Sequence, residues 1–296
     1  MVTALFAYLQ IALGGVVRVS GSGLGCPDWP LCNGRPYPPA NVHSIIEYSH
    51  RAVGSVTGVL IIATVVVAWV AFRKRRPLVA YLATASLIGV VGEGILGGIV
   101  VAKELSPWLV LAHLGLAMMI IGFLVATAIA AMPASNGSPD LNFRRLAIVA
   151  TAATYVMMLT GSTVVASGAD DSCHSWPLCG GGFALDFTGA AAFTMLHRAT
   201  VLVVGLLLLH VLTKAFLRRR SVKGMGPIAG AAIVAFVVQA AVGAGSAITG
   251  NAVFDGLHVA LATLVWSGVL ATMLLTLPRS DIDLELSRLQ VDRTSA

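Results

Sequence analysis

Four histidines and two cysteine pairs carry the chemistry that can be read in this chain. His50, His113, His197 and His258 each lie inside a long apolar stretch. An ionisable side chain at such a place costs free energy and points to function. The four are not scattered. His50-Arg51-Ala52 recurs as His197-Arg198-Ala199 at an offset of 147, and His113 recurs as His258 at an offset of 145. Cys26-Pro-Asp-Trp-Pro-Leu-Cys32 recurs as Cys173-His-Ser-Trp-Pro-Leu-Cys179, again at 147, as does Ser20-Gly21 at Ser167-Gly168. One register shared by so many features implies a duplicated unit, each copy supplying two histidines.

Paired imidazoles suit a porphyrin, whose iron takes axial ligands from its two faces, and a bundle of four helices is a natural holder. Zinc or copper wants more donors at one centre, such as a third His, a Cys or a carboxylate. Packing or proton relay is the competing use of a membrane histidine. Arg51 and Arg198 follow the first His of each copy; they either bind haem propionates, for which the guanidinium fork is suited, or snorkel and pair with loop acids. Glu47 lies one helical turn before His50, where the second copy has Thr194. A carboxylate there can take a proton or steady a cation at the porphyrin edge, or it can complement the helix dipole. The first copy thus reads as reactive and the second as a holder. Asp255, three before His258, is as good a helix cap as a reactive group. Glu93, with Gln239 as its repeat partner, serves either a proton path or a bond between helices. His43 and His174 fall in loops and His210 near the far helix end; all three read as ordinary surface or interface residues. Each C-x5-C loop allows a disulfide, either as a redox-active pair or as a staple over the helix ends.

The elements that position these groups are eight apolar spans, at roughly 3–20, 45–71, 78–101, 107–132, 144–166, 188–216, 226–248 and 253–277. A bilayer core of about 30 Å needs about 20 apolar residues per helix. The chain of 296 residues is 57% hydrophobic and only 11% charged, against about 25% charged in soluble domains, so its net charge of +6 does not indicate a nucleic-acid partner. Basic residues gather in alternate connections: Arg73 to Arg76, Arg144 and Arg145, then Lys214 to Lys223, with Arg279, Arg288 and Arg293 after the last span. The opposite side has Arg18, Arg35 and Lys103. The positive-inside rule puts both termini in the cytoplasm and the cysteine loops outside a cell membrane. No cleavable signal peptide is expected, because Met1 opens almost directly on the first span. The expected fold is an all-α integral membrane protein: eight transmembrane helices as two tandem four-helix bundles related by a parallel pseudo-two-fold repeat. Its parts are residues 1–135, residues 136–280 and a cytoplasmic tail, 281–296. Four is an even number of spans, so both copies keep one orientation.

Gly14-Gly-Val-Val-Arg-Val-Ser-Gly-Ser-Gly-Leu24, the Cys26–Cys32 loop with Asp28-Trp29-Pro30, Glu47-Tyr-Ser-His-Arg51 and the three later histidines together resemble the haem A synthase family in its bacterial form. These membrane enzymes convert haem O to haem A for cytochrome oxidase assembly. The resemblance implies that His197 and His258 hold a haem b cofactor. It implies that His50 and His113 flank the iron of the substrate haem, that Glu47 is catalytic, and that Cys26 and Cys32 form a disulfide. It implies oxidation of a ring methyl of haem O to a formyl group through hydroxylated intermediates, with electrons exchanged through the second haem. Iron held by two histidines leaves no position for O₂. Either one His leaves during turnover, or electron removal is followed by attack of water, the route that gives Glu47 a task. Glu93 departs from the Gln-like residue expected there. The alternative class is a non-catalytic di-haem b-type electron-transfer cytochrome, which would need neither Glu47 nor unlike halves. Expected partners are haem O, membrane lipid, an electron-transfer partner and, by pathway logic alone, the farnesyltransferase that makes haem O.

Overall fold

The computed structural model of the protein describes residues 1–133, 141–169, 173, 175–179, 184–218, 222 and 224–277. His174, the basic residues Arg219, Arg220, Lys223, Arg279, Arg288 and Arg293, and the tail 281–296 lie outside the described residues. The described residues form eight helices: α1 Val2–Val19, α2 Val42–Phe72, α3 Pro77–Ala102, α4 Pro107–Ala131, α5 Leu141–Ala166, α6 Ala191–Leu217, α7 Met225–Thr249 and α8 Ala252–Leu274. All eight are long and apolar enough to cross a membrane. Among the described residues there is no strand, only an isolated bridge between Cys32 and Arg35.

Local chemistry sets the helix ends. Pro77 and Pro107 open α3 and α4, where a missing N–H costs nothing. The Asn41 side chain accepts from Ser44 N and starts α2 three residues earlier than apolarity alone suggests, bringing His43 into the helix. Asn251 likewise caps α8 by accepting from Val253 N, so Asp255 is not the cap. Gly250, at φ 59°, closes α7 in the left-handed conformation that glycine adopts without strain.

Successive helices pack side by side, α3 with α4 and α7 with α8 most extensively. One core, with Phe143, Leu208, Leu212, Val211 and Phe236, lies among α5 to α8. A second, with Ala7, Ile11, Met118, Ile121, Trp266 and Leu270, joins α1 and α4 to α8. Small residues permit this approach in lipid: a Cβ on Gly15 would touch Val259 and the Gly256 carbonyl. Two bonds tie the seam to α4. Trp266 Nε1 donates to Met118 O at 2.8 Å, and Tyr155 Oη donates to Gly115 O at 3.0 Å. Contacts of Gly23 with Leu105 and of Gly98 with Trp29 bring the start of α4 and the end of α3 to the same end of the bundle as the first cysteine loop.

Candidate functional site

The first cysteine loop, between α1 and α2, is built on backbone hydrogen bonds. Cys26 and Cys32 are disulfide-bonded, with Cα atoms 4.5 Å apart, and both are fully buried. Cys32 and Arg35 exchange both backbone bonds around Asn33 and Gly34, whose φ angles of 53° and 72° make the tight turn that asparagine and glycine favour. Asp28 accepts from Asn33 N at 2.5 Å and from Gly34 N at 2.7 Å. These amides, Gly34 foremost, hold its carboxyl below the ordinary 3.8. The second pair, Cys173 and Cys179, is bonded with Cα atoms 5.0 Å apart. Both loops carry a cis Trp-Pro bond, at Trp29-Pro30 and Trp176-Pro177.

Arg51 and Glu47 fasten the first loop to α2. Arg51 Nη1 donates to Asp28 O and Leu31 O, each at 2.6 Å. Its Nη2 donates to Cys26 O at 2.6 Å and to Glu47 Oε1 at 2.5 Å. Glu47 Oε2 accepts from Cys26 N at 2.7 Å, and the side chain is buried. Arg198 repeats the loop contacts, donating to Ser175 O at 2.7 Å and Pro177 O at 3.0 Å. Thr194 stands where Glu47 does and donates to Ala169 O at 3.2 Å. These contacts tie both guanidinium groups to the loops, a geometry that residue spacing does not announce.

Beneath each loop sits a pair of histidines. His50 is the ninth residue of α2; His113, His197 and His258 are each the seventh of α4, α6 and α8. At 1.5 Å per residue all four lie about 9–12 Å from their helix starts. His113 is close enough to His50 for a Coulombic interaction, and His258 stands in the same relation to His197. Each ring tip abuts a glycine of a neighbouring helix: Gly14 and Gly97 for His50 and His113, Gly161 and Gly243 for His197 and His258. A Cβ on these glycines would come within 3.1, 3.2, 3.0 and 2.8 Å of the respective Cε1 atoms. The four glycines follow the repeat register, and the helical periodicity of their surroundings gave no hint of this role.

The neighbours of the rings differ between the pairs. Gln10 Nε2 is 3.2 Å from His50 Nε2, and Thr160 Oγ1 is 3.0 Å from His197 Nδ1. Glu93 Oε1 lies 3.2 Å from His113 Nδ1, but the alignment makes no hydrogen bond, and Glu93 Oε2 is also buried without a partner. Nδ1 of His50 and of His258 are buried orphans too, as is Gln239 Oε1. Asp255 accepts from Ser246 Oγ across to α7. His43 Nδ1 is 3.0 Å from Ser22 Oγ, and His210 is exposed on α6, away from both pairs.

Orphaned ring nitrogens and cradles without Cβ atoms fit a flat group bound through imidazole. Among the described residues no three of His, Cys, Asp and Glu converge as ligands for a metal ion. Two imidazoles alone match a metal that brings its own four equatorial donors, as haem iron does.

A family model described as "Cytochrome oxidase assembly protein" matches residues 1–45 and 40–270, nearly the whole chain. A curated haem A synthase of Exiguobacterium sibiricum is 31% identical over 210 residues, covering 69% of this chain and 68% of the relative. The chain belongs to the haem A synthase family. Two further haem A synthases extend the likeness. That of Shouchella clausii is 29% identical over 85% of this chain and 86% of its own length. That of Alkalihalophilus pseudofirmus is 28% identical over 94% and 96%. The family-model match reaches into all eight helices and takes in both loops and all four histidines.

Proposed function

We propose that this protein oxidises a ring methyl of haem O to a formyl group, through hydroxylated intermediates, with a haem b bound in the second repeat. The observation that carries the reading is the pairing itself: two histidine pairs in matched glycine cradles, with the buried Glu47 one turn before His50 where Thr194 stands before His197. His197 and His258 hold haem b, which when bound accepts and passes on single electrons. His50 and His113 hold the iron of haem O. Residues 1–135 form the reactive part and 136–280 the holder. The positive-inside rule supports cytoplasmic termini and places the cysteine loops outside.

Going from methyl to formyl with oxygen from water releases four electrons and four protons. Glu47 is the proton acceptor or cation stabiliser at the porphyrin edge. Its carboxyl group lies beside Arg51 and the Cys26 amide, in a position that Thr194 cannot imitate. Arg51 and Arg198 add positive charge where propionates would emerge. For Arg51 only Nε–H is left to meet one, since its terminal N–H groups serve the loop and Glu47.

Pigment extraction from membranes tests this directly. Cells supplied with haem O and expressing the wild type should yield haem A beside haem B. Glu47→Gln keeps the shape, removes the charge and should lower haem A formation by about 10²–10⁴-fold, the range for a positioned acid or base. Its haem b spectrum should stay intact while haem O or its hydroxylated form accumulates. Haem A at normal levels in Glu47→Gln would remove Glu47 from the reaction. No haem A from the wild type would favour an electron carrier.

A further inference from the structure

We propose that Arg51 is a positioning residue, which locks the Cys26–Cys32 loop and the Glu47 carboxylate into one unit. This rests on the role proposed above for Glu47. Four hydrogen bonds from one guanidinium reach three loop carbonyls and one carboxylate oxygen. The other carboxylate oxygen returns to the loop at Cys26 N. The ring is therefore closed: α2 holds Arg51 and Glu47 one turn apart, and both hold the residue that carries the disulfide. Ser44 Oγ adds a bond to Gly25 O, and a Cβ on Gly25 would strike the His43 carbonyl, so the loop backbone lies directly on the start of α2.

The repeat supplies the comparison. Arg198 also grips its loop through carbonyls, but Thr194 offers it no carboxylate. Holding a loop is thus common to both arginines, and among the described residues it is Arg51 and not Arg198 that also holds an acid. A lysine has the charge but not the fork, and cannot span Cys26 O, Asp28 O, Leu31 O and Glu47 Oε1 together. Burial raises the stakes, because a carboxylate that loses its partner in a desolvated place is left as an uncompensated charge.

The test compares wild type, Arg51→Lys, Glu47→Gln and the double variant, each as purified full-length protein carrying haem b. A membrane-impermeant phosphine reduces the disulfides, and alkylation with mass analysis of the peptides gives a rate for each pair. Cys173–Cys179 in the same molecule is the internal reference. Arg51→Lys should speed reduction of Cys26–Cys32 at least tenfold, leave Cys173–Cys179 unchanged, retain the haem b spectrum and lower turnover at least tenfold. Glu47→Gln should also speed reduction, and the double variant should be no more than twofold faster than the faster single, because both singles open one closed ring. Turnover of Arg51→Lys within twofold of wild type would overturn the proposal. So would accelerations that multiply in the double variant, or loss of the first-half haem with no change in the Cys26–Cys32 rate. If Arg51→Lys fails to keep haem b, Arg51→Gln takes its place under the same criteria. Normal turnover in Glu47→Gln is a different result: it removes the role given to Glu47, whatever Arg51 does to the loop.

Discussion

Replacing Gly243 with alanine should cost the protein its haem b before it costs the fold. The new methyl carbon would stand 2.8 Å from His258 Cε1 and 3.2 Å from Nδ1. Carbon atoms rest against one another at about 3.5–4.0 Å, so the ring must retreat or turn. Two effects on fold stability oppose each other. Alanine favours the helix over glycine by about 0.5–1 kcal/mol, while overpacking costs about 1–3 kcal/mol. The net loss of fold stability thus runs from about zero to about 2.5 kcal/mol. Ligation is less forgiving, because iron needs the imidazole in one orientation. If the overpacking falls on the ligated state, about 1–3 kcal/mol becomes about 5- to 150-fold weaker retention. Transfer of haem from purified protein to an excess of apomyoglobin, followed by the reduced spectrum, measures this. Gly94→Ala is the control, since its Cβ would meet nothing within 4 Å; it should hold haem as the wild type does. Equal retention by Gly243→Ala and wild type, or equal loss from Gly94→Ala, would refute the cradle.

His197→Ala or His258→Ala should abolish a stable low-spin b-type spectrum, while His50→Ala and His113→Ala keep it; the reverse pattern would exchange the roles of the two pairs. In intact cells Cys26 and Cys32 should resist an impermeant maleimide until a reductant is added, then label from outside. Ready labelling without reductant would reject the bridge, and labelling from the cytoplasmic side alone would invert the orientation. Asp28 has a depressed carboxyl, so its contribution to loop order is complete above 3.8 and is lost as pH falls below that value. The Cys26–Cys32 reduction rate, taken relative to Cys173–Cys179, should therefore be flat over about pH 5–8, and Asp28→Asn should raise it throughout. A step in the wild-type ratio within that window would contradict the assignment.

Long apolar runs made all eight helices legible, because in lipid a helix must satisfy its own backbone and little else competes. Their ends were less so: α2 begins at Val42 because the Asn41 side chain reaches Ser44 N. The four histidines stood out because charge inside a span is rare. Arg51 stood out too, but not what it holds. Its partners are carbonyl groups, which every residue has, and only the fold of the loop turns Cys26, Asp28 and Leu31 toward it. Asp255 was read as a possible cap from its place near a helix start, yet its partner, Ser246, lies on another helix. The glycine cradles were hidden for the same reason: Gly161 and Gly243 look like ordinary packing residues until the ring facing each is known.

The seam that joins α5 and α8 to α4 has a consequence for the side chains it tolerates. Trp266 and Tyr155 each give a hydrogen to a main-chain oxygen of α4, at Met118 and Gly115. A main-chain oxygen is the one acceptor that no mutation of its own residue removes. A clasp that closes on backbone asks only for room, so exchanging the side chain of Met118 leaves the acceptor of Trp266 in place.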